Sequence, residues 1–165
     1  TCFLLGGFSV EVDGAECRIT GGAPQVGVGD WTDQGLPFYS GSVVFRAALK
    51  AKTGEGEAVF VEMPRFKGAC VRLLVDGREA GTVGWPPYEV EVTDLLDGGE
   101  EFELAVEVVG HRRNAFGPLH HTESHPRWIG PGEFVSGGDE WQEEYNLVPT
   151  GMLESPRISV RRQKG

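Results

Sequence analysis

The sequence predicts an all-β protein built as an antiparallel β-sandwich or jelly roll. Apolar residues recur at every second position in each periodic segment, as expected of strands with one buried face. These segments are short and lie roughly ten residues apart. Turn-forming residues separate them, since the 165-residue chain contains 25 Gly and 10 Pro. No segment has the spacing of an amphipathic helix of ordinary length.

The alternation is plainest in residues 101–108, where Phe102, Leu104, Val106 and Val108 alternate with glutamates. The same period predicts strands over residues 8–12, 17–19, 42–50, 57–63, 70–75, 78–83, 88–92 and 156–162. Asp76-Gly77 supplies the residues that a tight hairpin turn requires. Residues 93–96, closed by Asp97-Gly98-Gly99, are predicted to form a single helical turn.

Length and charge limit the classes of function. A chain of 165 residues with 39% hydrophobic residues suits a single domain over residues 1–165. Its net charge of −10 repels phosphate backbones and anionic membrane surfaces, so we expect neither nucleic acid nor a membrane as a partner. No apolar run reaches the ~18 residues that a membrane span needs.

The chain begins inside an apolar stretch without an initiator methionine, so we expect it to be a segment excised from a larger multidomain protein. Its localisation does not follow from the sequence. Cys2, Cys17 and Cys70 are widely spaced and leave one cysteine over, which argues against a disulfide scaffold. A bridge between Cys2 and Cys17 stays open, whereas Cys70 is predicted to be a small buried hydrophobe.

Three segments share features with a known family. Trp31 precedes residues 35–41, GLPFYSG, and a strand with an aromatic-basic pair; residues 71–81, VRLLVDGREAG, join a strand to a tight turn; residues 88–96, YEVEVTDLL, join a strand to a short turn. From Trp31 to Val108 the sequence thus resembles the sugar-binding, galactose-binding-like jelly-roll domain of family 2 glycoside hydrolases and related bacterial enzymes. It departs from that pattern at Asp76, where asparagine is commoner, and in the long segment after Gly110.

The resemblance implies an accessory domain that accompanies a catalytic domain of the same parent chain, with carbohydrate as its ligand. Residues 113–121, RNAFGPLHH, are similar to a segment of large rhamnosidase-like proteins, so the enzyme class of the parent stays open. Jelly rolls of this kind often carry a structural calcium ion. No carboxylate-rich loop identifies ligands for it here, and the metal content is left unknown.

Sugar recognition needs a flat apolar surface for the CH face of a pyranose and planar polar groups for its hydroxyls. Two loops offer both kinds of group: one contains Trp85 and Tyr88, and the other contains His111, Arg112, Asn114 and Trp128, with Trp141 further along. We expect a sugar site where the loop around Trp85 meets the segment from His111 to Trp128. Trp31 and Tyr39 are expected to serve packing instead.

Catalysis by a glycosidase needs two carboxyl groups roughly 5 to 10 Å apart across the sugar. The glutamates of the strands lie on solvated faces, and no acid after Gly110 stands in a context that identifies a pair, so we predict no catalytic residue. His120, His121, Glu123 and His125 form an HHxExH cluster. This spacing matches no established zinc signature. Adjacent residues of an extended segment also point to opposite sides, so His120 and His121 could not readily bind one ion together.

Two hypotheses of different class remain. The first is a non-catalytic carbohydrate-binding accessory module of a glycoside hydrolase-like protein. The alternative is a structural β-sandwich spacer that packs on a neighbouring domain and has no affinity for sugar. A self-contained hydrolase is the weakest interpretation, because no catalytic constellation is visible in the sequence.

Overall fold

The computed structural model describes residues 6–52, 54–96 and 101–162. Strands account for 40% of the described residues and helical turns for 9%, which confirms the all-β prediction. The fold divides into two units. The sandwich unit comprises the described residues of Gly41–Gly110 and Gly151–Gly165, and the loop unit comprises those of Thr1–Ser40 and His111–Thr150. The expectation of one domain over residues 1–165 stays a prediction.

The strands of the described residues closely follow the predicted ones. In chain order they are β1 (Ser9–Asp13), β2 (Glu16–Thr20), β3 (Ser42–Lys50), β4 (Glu57–Glu62), β5 (Phe66–Lys67), β6 (Cys70–Val75), β7 (Arg78–Val83), β8 (Glu89–Glu91), β9 (Glu101–Val109), β10 (Gly151–Met152) and β11 (Arg157–Arg162). The two-residue strands β5 and β10 were not predicted, because two residues are too few to show a period. The helical turn at Thr93–Leu95 is confirmed, while Asp97-Gly98-Gly99 lies outside the described residues.

The sandwich unit has two main antiparallel sheets. One has the strand order β3-β9-β6-β7 and the other the order β11-β4-β8, and β5 pairs separately with β10. The inner faces are apolar and buried: Val59, Val61, Val71, Leu73, Val75, Leu104, Val106 and Val108 are almost wholly inaccessible to solvent. In β9 the alternate positions are Glu101, Glu103, Ala105 and Glu107, so the period-two pattern places the larger apolar side chains in the core.

β7 approaches β8 closely at one point and is joined to β6 by a tight turn. A Cβ atom added to Gly81 of β7 would lie 3.2 Å from Cγ1 of Val90 in β8, so the two strands approach closely there. The predicted hairpin turn between β6 and β7 is present, with φ of 47° at Asp76 and 76° at Gly77. Both residues adopt the left-handed conformation that this type of turn requires. The Asp76 carboxylate also accepts a hydrogen bond from the backbone N–H of Glu103, at 2.8 Å.

The loop unit consists of the β1–β2 hairpin and irregular chain with short helical pieces. These are α1 (Arg113–Phe116) and single 3-10 turns at Thr32–Gln34 and Pro131–Glu133. Trp31 is 1% exposed, so its predicted packing role is confirmed. Tyr39 is exposed, although its ring contacts Trp31 edge-on with centroids 6.1 Å apart.

The cysteines and the membrane question are reported for the described residues alone. Cys17 is an exposed free thiol, and Cys70 is a half-buried one. Cys70 is thus less buried than predicted, because it is the first residue of β6 and lies at the end of its sheet. Cys2 lies outside the described residues. Across residues 6–52, 54–96 and 101–162, no helix is long and apolar enough to cross a membrane.

The outer face of the β11-β4-β8 sheet carries an ion network. The Arg161 guanidinium donates to both carboxylate oxygens of Glu89, at 2.9 and 2.7 Å, and to Glu62 at 2.6 Å. It also lies 4.5 Å from the ring centroid of Phe60. The Ser159 hydroxyl and Arg161 hold the pKa of Glu62 below its usual value, and Arg161 does the same for the pKa of Glu89. One arginine therefore links all three strands of the sheet.

We predict that Arg161→Gln lowers stability near neutral pH, and that the loss becomes smaller in acid, where the Arg161 contact with Phe60 remains but Glu62 and Glu89 are protonated. Carboxyl groups whose pKa is lowered by folding stabilise the protein above their unfolded pKa of about 4.5, and this stabilisation is lost as the pH falls through the folded value. Urea unfolding near neutrality and at about pH 3 measures the difference from wild type. Lys50→Gln, which removes an isolated exposed pair with Glu101, is the control with little expected effect. A difference for Arg161→Gln that is as large in acid as near neutrality contradicts the prediction.

Candidate functional site

The first candidate surface is the connection from β7 to β8, which carries the chain from one main sheet of the sandwich unit to the other. Trp85 in this loop is 77% exposed. It is followed by Pro86 and Pro87, joined by a cis peptide bond. Proline fixes φ, so this segment has few backbone conformations. The loop therefore presents a large aromatic ring to solvent from a restricted backbone.

Tyr88, next to this turn, is exposed but anchored. Its backbone carbonyl accepts a hydrogen bond from the N–H of Met63 at 2.8 Å. Its ring packs edge-on against Phe66 with centroids 5.4 Å apart, and Phe66 is held in β5 by pairing with Met152. The two predicted site residues of the sandwich unit thus differ: the Trp85 ring is largely exposed to solvent, and the Tyr88 ring is held by its packing against Phe66.

The predicted residues His111 and Asn114 belong to the loop unit and are engaged with its backbone. Asn114 is 2% exposed, and its amide both donates to the carbonyl of Val148, at 2.8 Å, and accepts from the N–H of Val148, at 2.9 Å. The His111 ring accepts the N–H of Arg113 through Nδ1 and bonds through Nε2 to the Thr150 hydroxyl, at 3.2 Å. These contacts stabilise the strandless segment around residues 148–150. A sugar contact by either residue stays a prediction.

Arg112 and Trp128, also in the loop unit, are exposed. Trp128 is 73% exposed, and its indole folds back over Gly130. A Cβ atom added to Gly130 would lie 2.1 Å from Nε1 of Trp128, so only glycine leaves room for the ring. Within the sandwich unit, β6 lies between β9 and β7 in the sheet. The strand that ends at Val109 therefore does not pair directly with β7, the strand that leads to Trp85.

A second surface, which the sequence did not indicate as a unit, is a row of four rings in the loop unit. We call it the aromatic row: Phe38, Tyr145, His120 and Trp141. Ring centroids are 5.1 Å apart for Phe38 and Tyr145, 4.8 Å for Tyr145 and His120, and 6.4 Å for His120 and Trp141. The residues come from three separate segments of the chain. The periodicity of the sequence does not predict that these residues come together, although each of them can be recognised in the sequence by itself.

The histidines of the HHxExH cluster have separate environments. His120 Nδ1 lies 3.0 Å from the carbonyl of Glu143. His121 is buried; its Nδ1 accepts the N–H of Glu123 at 2.9 Å, and its Nε2 lies 3.3 Å from a Glu133 carboxylate oxygen. An Nδ1 that accepts a hydrogen bond leaves the ring proton on Nε2, facing Glu133. Among the described residues, no group of three or more His, Cys, Asp or Glu side chains is placed to hold a metal ion.

No protein-family model and no curated protein matches the sequence. Among solved structures, the chain is similar to part of the rhamnosidase from Novosphingobium sp. PP1Y, with 16% identity over 98% of this chain and a TM-score of 0.56. It is also similar to part of the FMN-binding beta-glucuronidase from Facaelibacterium prausnitzii L2-6, with 16% identity over 93% of this chain and a TM-score of 0.46. A glycosyl hydrolase family 2 member from Bacteroides cellulosilyticus DSM 14838 gives 17% identity over 73% of this chain and a TM-score of 0.42.

These neighbours are glycoside hydrolase chains, and this chain spans only a small part of each. It covers 15% of the rhamnosidase, 21% of the glucuronidase and 17% of the family 2 member. At 16% identity, the likeness to the rhamnosidase concerns the fold and not the activity.

We predict that Asn114→Ala destabilises the protein by roughly 2 to 4 kcal/mol, because it leaves the buried N–H of Val148 without its partner and the C=O of Val148 with the Thr150 hydroxyl as its remaining donor. Urea unfolding followed by circular dichroism measures the change. Arg112→Ala, an exposed substitution two residues away, is the matched control and should leave stability within about 0.5 kcal/mol of wild type. An Asn114→Ala protein as stable as wild type contradicts the assigned role.

We also predict that Gly130→Ala displaces the Trp128 indole without unfolding the chain, because the new methyl group occupies the position of Nε1. The ring is exposed and can move away. The indole N–H signal of Trp128 in a nitrogen-correlated NMR spectrum should shift, while those of the other tryptophans stay. Gly132→Ala is the control, since a Cβ atom there meets nothing within 4 Å. An unmoved Trp128 signal in Gly130→Ala shows that the ring does not lie over Gly130.

Proposed function

We propose that this chain is a non-catalytic carbohydrate-binding accessory module of a glycoside hydrolase-like protein. The observation that carries the proposal is Trp85, a tryptophan 77% exposed on a proline-restricted loop of a β-sandwich. An exposed indole face is the surface that the CH groups of a pyranose cover. Leaving so large an apolar ring in water serves no packing purpose in the described fold.

Trp85 and Tyr88 are the proposed centre of the sugar site. The Trp85 face would stack on the sugar, and the Tyr88 hydroxyl, on a ring already fixed by Phe66, would contact its hydroxyls. A ring held in place before binding loses little conformational entropy when the ligand arrives. In the loop unit, taken by itself, Arg112 and Trp128 are exposed and stay predicted sugar contacts, while Asn114 would act through the backbone that it holds.

The proposed partners are a carbohydrate and a catalytic domain of the same parent chain. Support comes from the rhamnosidase chain, of which a 15% segment has the fold of this chain over 98% of its length. A segment of that size within a hydrolase leaves most of the parent for other domains. The reaction and the substrate of such a parent do not follow from a shared fold.

A second candidate function is that of a structural spacer without affinity for sugar. Three large apolar side chains of the loop unit favour it: Phe116 is 70% exposed, and Ile129 and Phe134 are about half exposed. Exposed apolar side chains of this size are typical of surfaces that another domain covers. Under this alternative the module would pack on its neighbour and bind no glycan.

We predict that Trp85→Ala weakens binding of whichever glycan a screen of the wild-type module identifies by about fivefold or more, since a stacked aromatic contributes roughly 1 kcal/mol beyond its area. Isothermal titration measures the change from a wild-type Kd expected between about millimolar and high micromolar. Phe116→Ala is the matched control, because it removes an equally exposed ring outside the proposed centre. Arg112→Ala tests the second loop.

The outcomes separate the candidates. If Trp85→Ala and Arg112→Ala both stay folded and retain full affinity, the proposed placement of the site is wrong. If no glycan binds the folded wild-type module, the spacer is favoured. Equal losses in Trp85→Ala and Phe116→Ala indicate a general effect of surface aromatics and not a site at Trp85.

A further inference from the structure

The aromatic row of Phe38, Tyr145, His120 and Trp141 has no part in the site proposed at Trp85. We propose that it is a second sugar-stacking surface, selective for uncharged pyranosides over acidic ones. This inference rests on the proposed function in one respect, that the module meets carbohydrate. It adds a separate site in the loop unit and a class of ligand.

The rings of the row are held in place by contacts that leave one end open. His120 is bonded to the Glu143 carbonyl at 3.0 Å, and its own backbone carbonyl accepts the N–H of Gln142 at 2.8 Å. The Tyr145 hydroxyl lies 3.8 Å from Sγ of Cys17. Trp141, at the open end, is 38% exposed, and the other three rings are half-buried. The neighbouring rings therefore hold the Trp141 indole in place before a ligand binds.

The ring spacing suits a sugar better than a flat aromatic ligand. Successive planes are inclined by 64°, 42° and 34°, so the row is a stepped surface and not a slot for intercalation. Pyranose rings are puckered and offer CH groups at several angles. The rings contact one another at centroid distances of 4.8 to 6.4 Å, so such groups can cover only the outward surface of the row, above all the exposed part of Trp141.

Charge around the row defines the class of sugar. Trp141 and Tyr145 lie in residues 139–145, DEWQEEY, where Asp139, Glu140, Glu143 and Glu144 are their neighbours in the sequence, and all four acids are exposed. In the part of the chain that the structure describes, none of these four carboxylates is paired with a base. Free carboxylates accept hydrogen bonds from sugar hydroxyls. They repel a uronic acid, so the row should select neutral sugars.

The test follows each tryptophan indole N–H signal of the whole chain by NMR during titration. The probes are methyl glucoside, methyl galactoside and methyl rhamnoside, with methyl glucuronide and methyl galacturonide as the acidic counterparts of the first two. We expect the Trp141 signal to shift with at least one neutral glycoside. The matching uronide should bind about fivefold more weakly at low salt, and added salt should narrow that gap.

Variants separate this proposal from the one at Trp85. Trp85→Ala should leave the Trp141 titration unchanged, and Trp141→Phe should retain binding that Trp141→Ala loses, judged by the shifts of the Tyr145 ring. Replacing both Glu143 and Glu144 by Gln should raise affinity for the uronide while affinity for the neutral glycoside changes less. Trp31, which is 1% exposed and lies outside both proposed sites, is the internal control.

Each outcome decides between the sites. If the Trp85 signal responds to neutral glycosides and that of Trp141 does not, the row is overturned while the proposed function stands. If Trp141 alone responds, the row stands and the site at Trp85 is wrong. If neither responds to any probe, both are overturned. Uronides that bind Trp141 as tightly as neutral glycosides overturn the charge selectivity.

Discussion

The pairing of β9 with two neighbours at once is the constraint on which the sandwich unit depends. Its nine residues, Glu101–Val109, pair antiparallel with β3 along their full length and with β6 from Leu104 to Val109. A strand paired on both edges leaves few backbone groups for water to satisfy. With Leu104, Val106 and Val108 on its buried face, a shift of one residue would move every one of them out of the core.

The loop unit has few backbone ladders, and side chains take over their role. Asn114 clamps Val148, and the Asp30 carboxylate accepts the backbone N–H groups of both Thr32 and Thr150. The carbonyl of Thr150 in turn accepts the N–H of Trp31 at 2.8 Å. Polar side chains that satisfy buried backbone groups in this way give an irregular chain a defined path. For this reason His111 and Asn114, residue types that often bind sugars, make hydrogen bonds within the loop unit instead.

The aromatic residues divide according to what surrounds them. Trp31 is enclosed by its unit, Tyr88 is fixed by Phe66, and Trp85 stands free on a short connection between two sheets. Connections between strands tolerate such side chains because the core does not constrain them.

The sequence by itself determined the all-β class, the main strands and the Asp76-Gly77 turn, because period-two alternation and turn chemistry are local properties. It also indicated the Trp85 loop, since aromatic and proline residues are conspicuous in one stretch. Only the tertiary structure decided that β5 pairs with β10, that His121 is buried against Glu133, and that Phe38, His120, Trp141 and Tyr145 form one row. Those contacts join residues distant in the chain, and no local spacing carries that information.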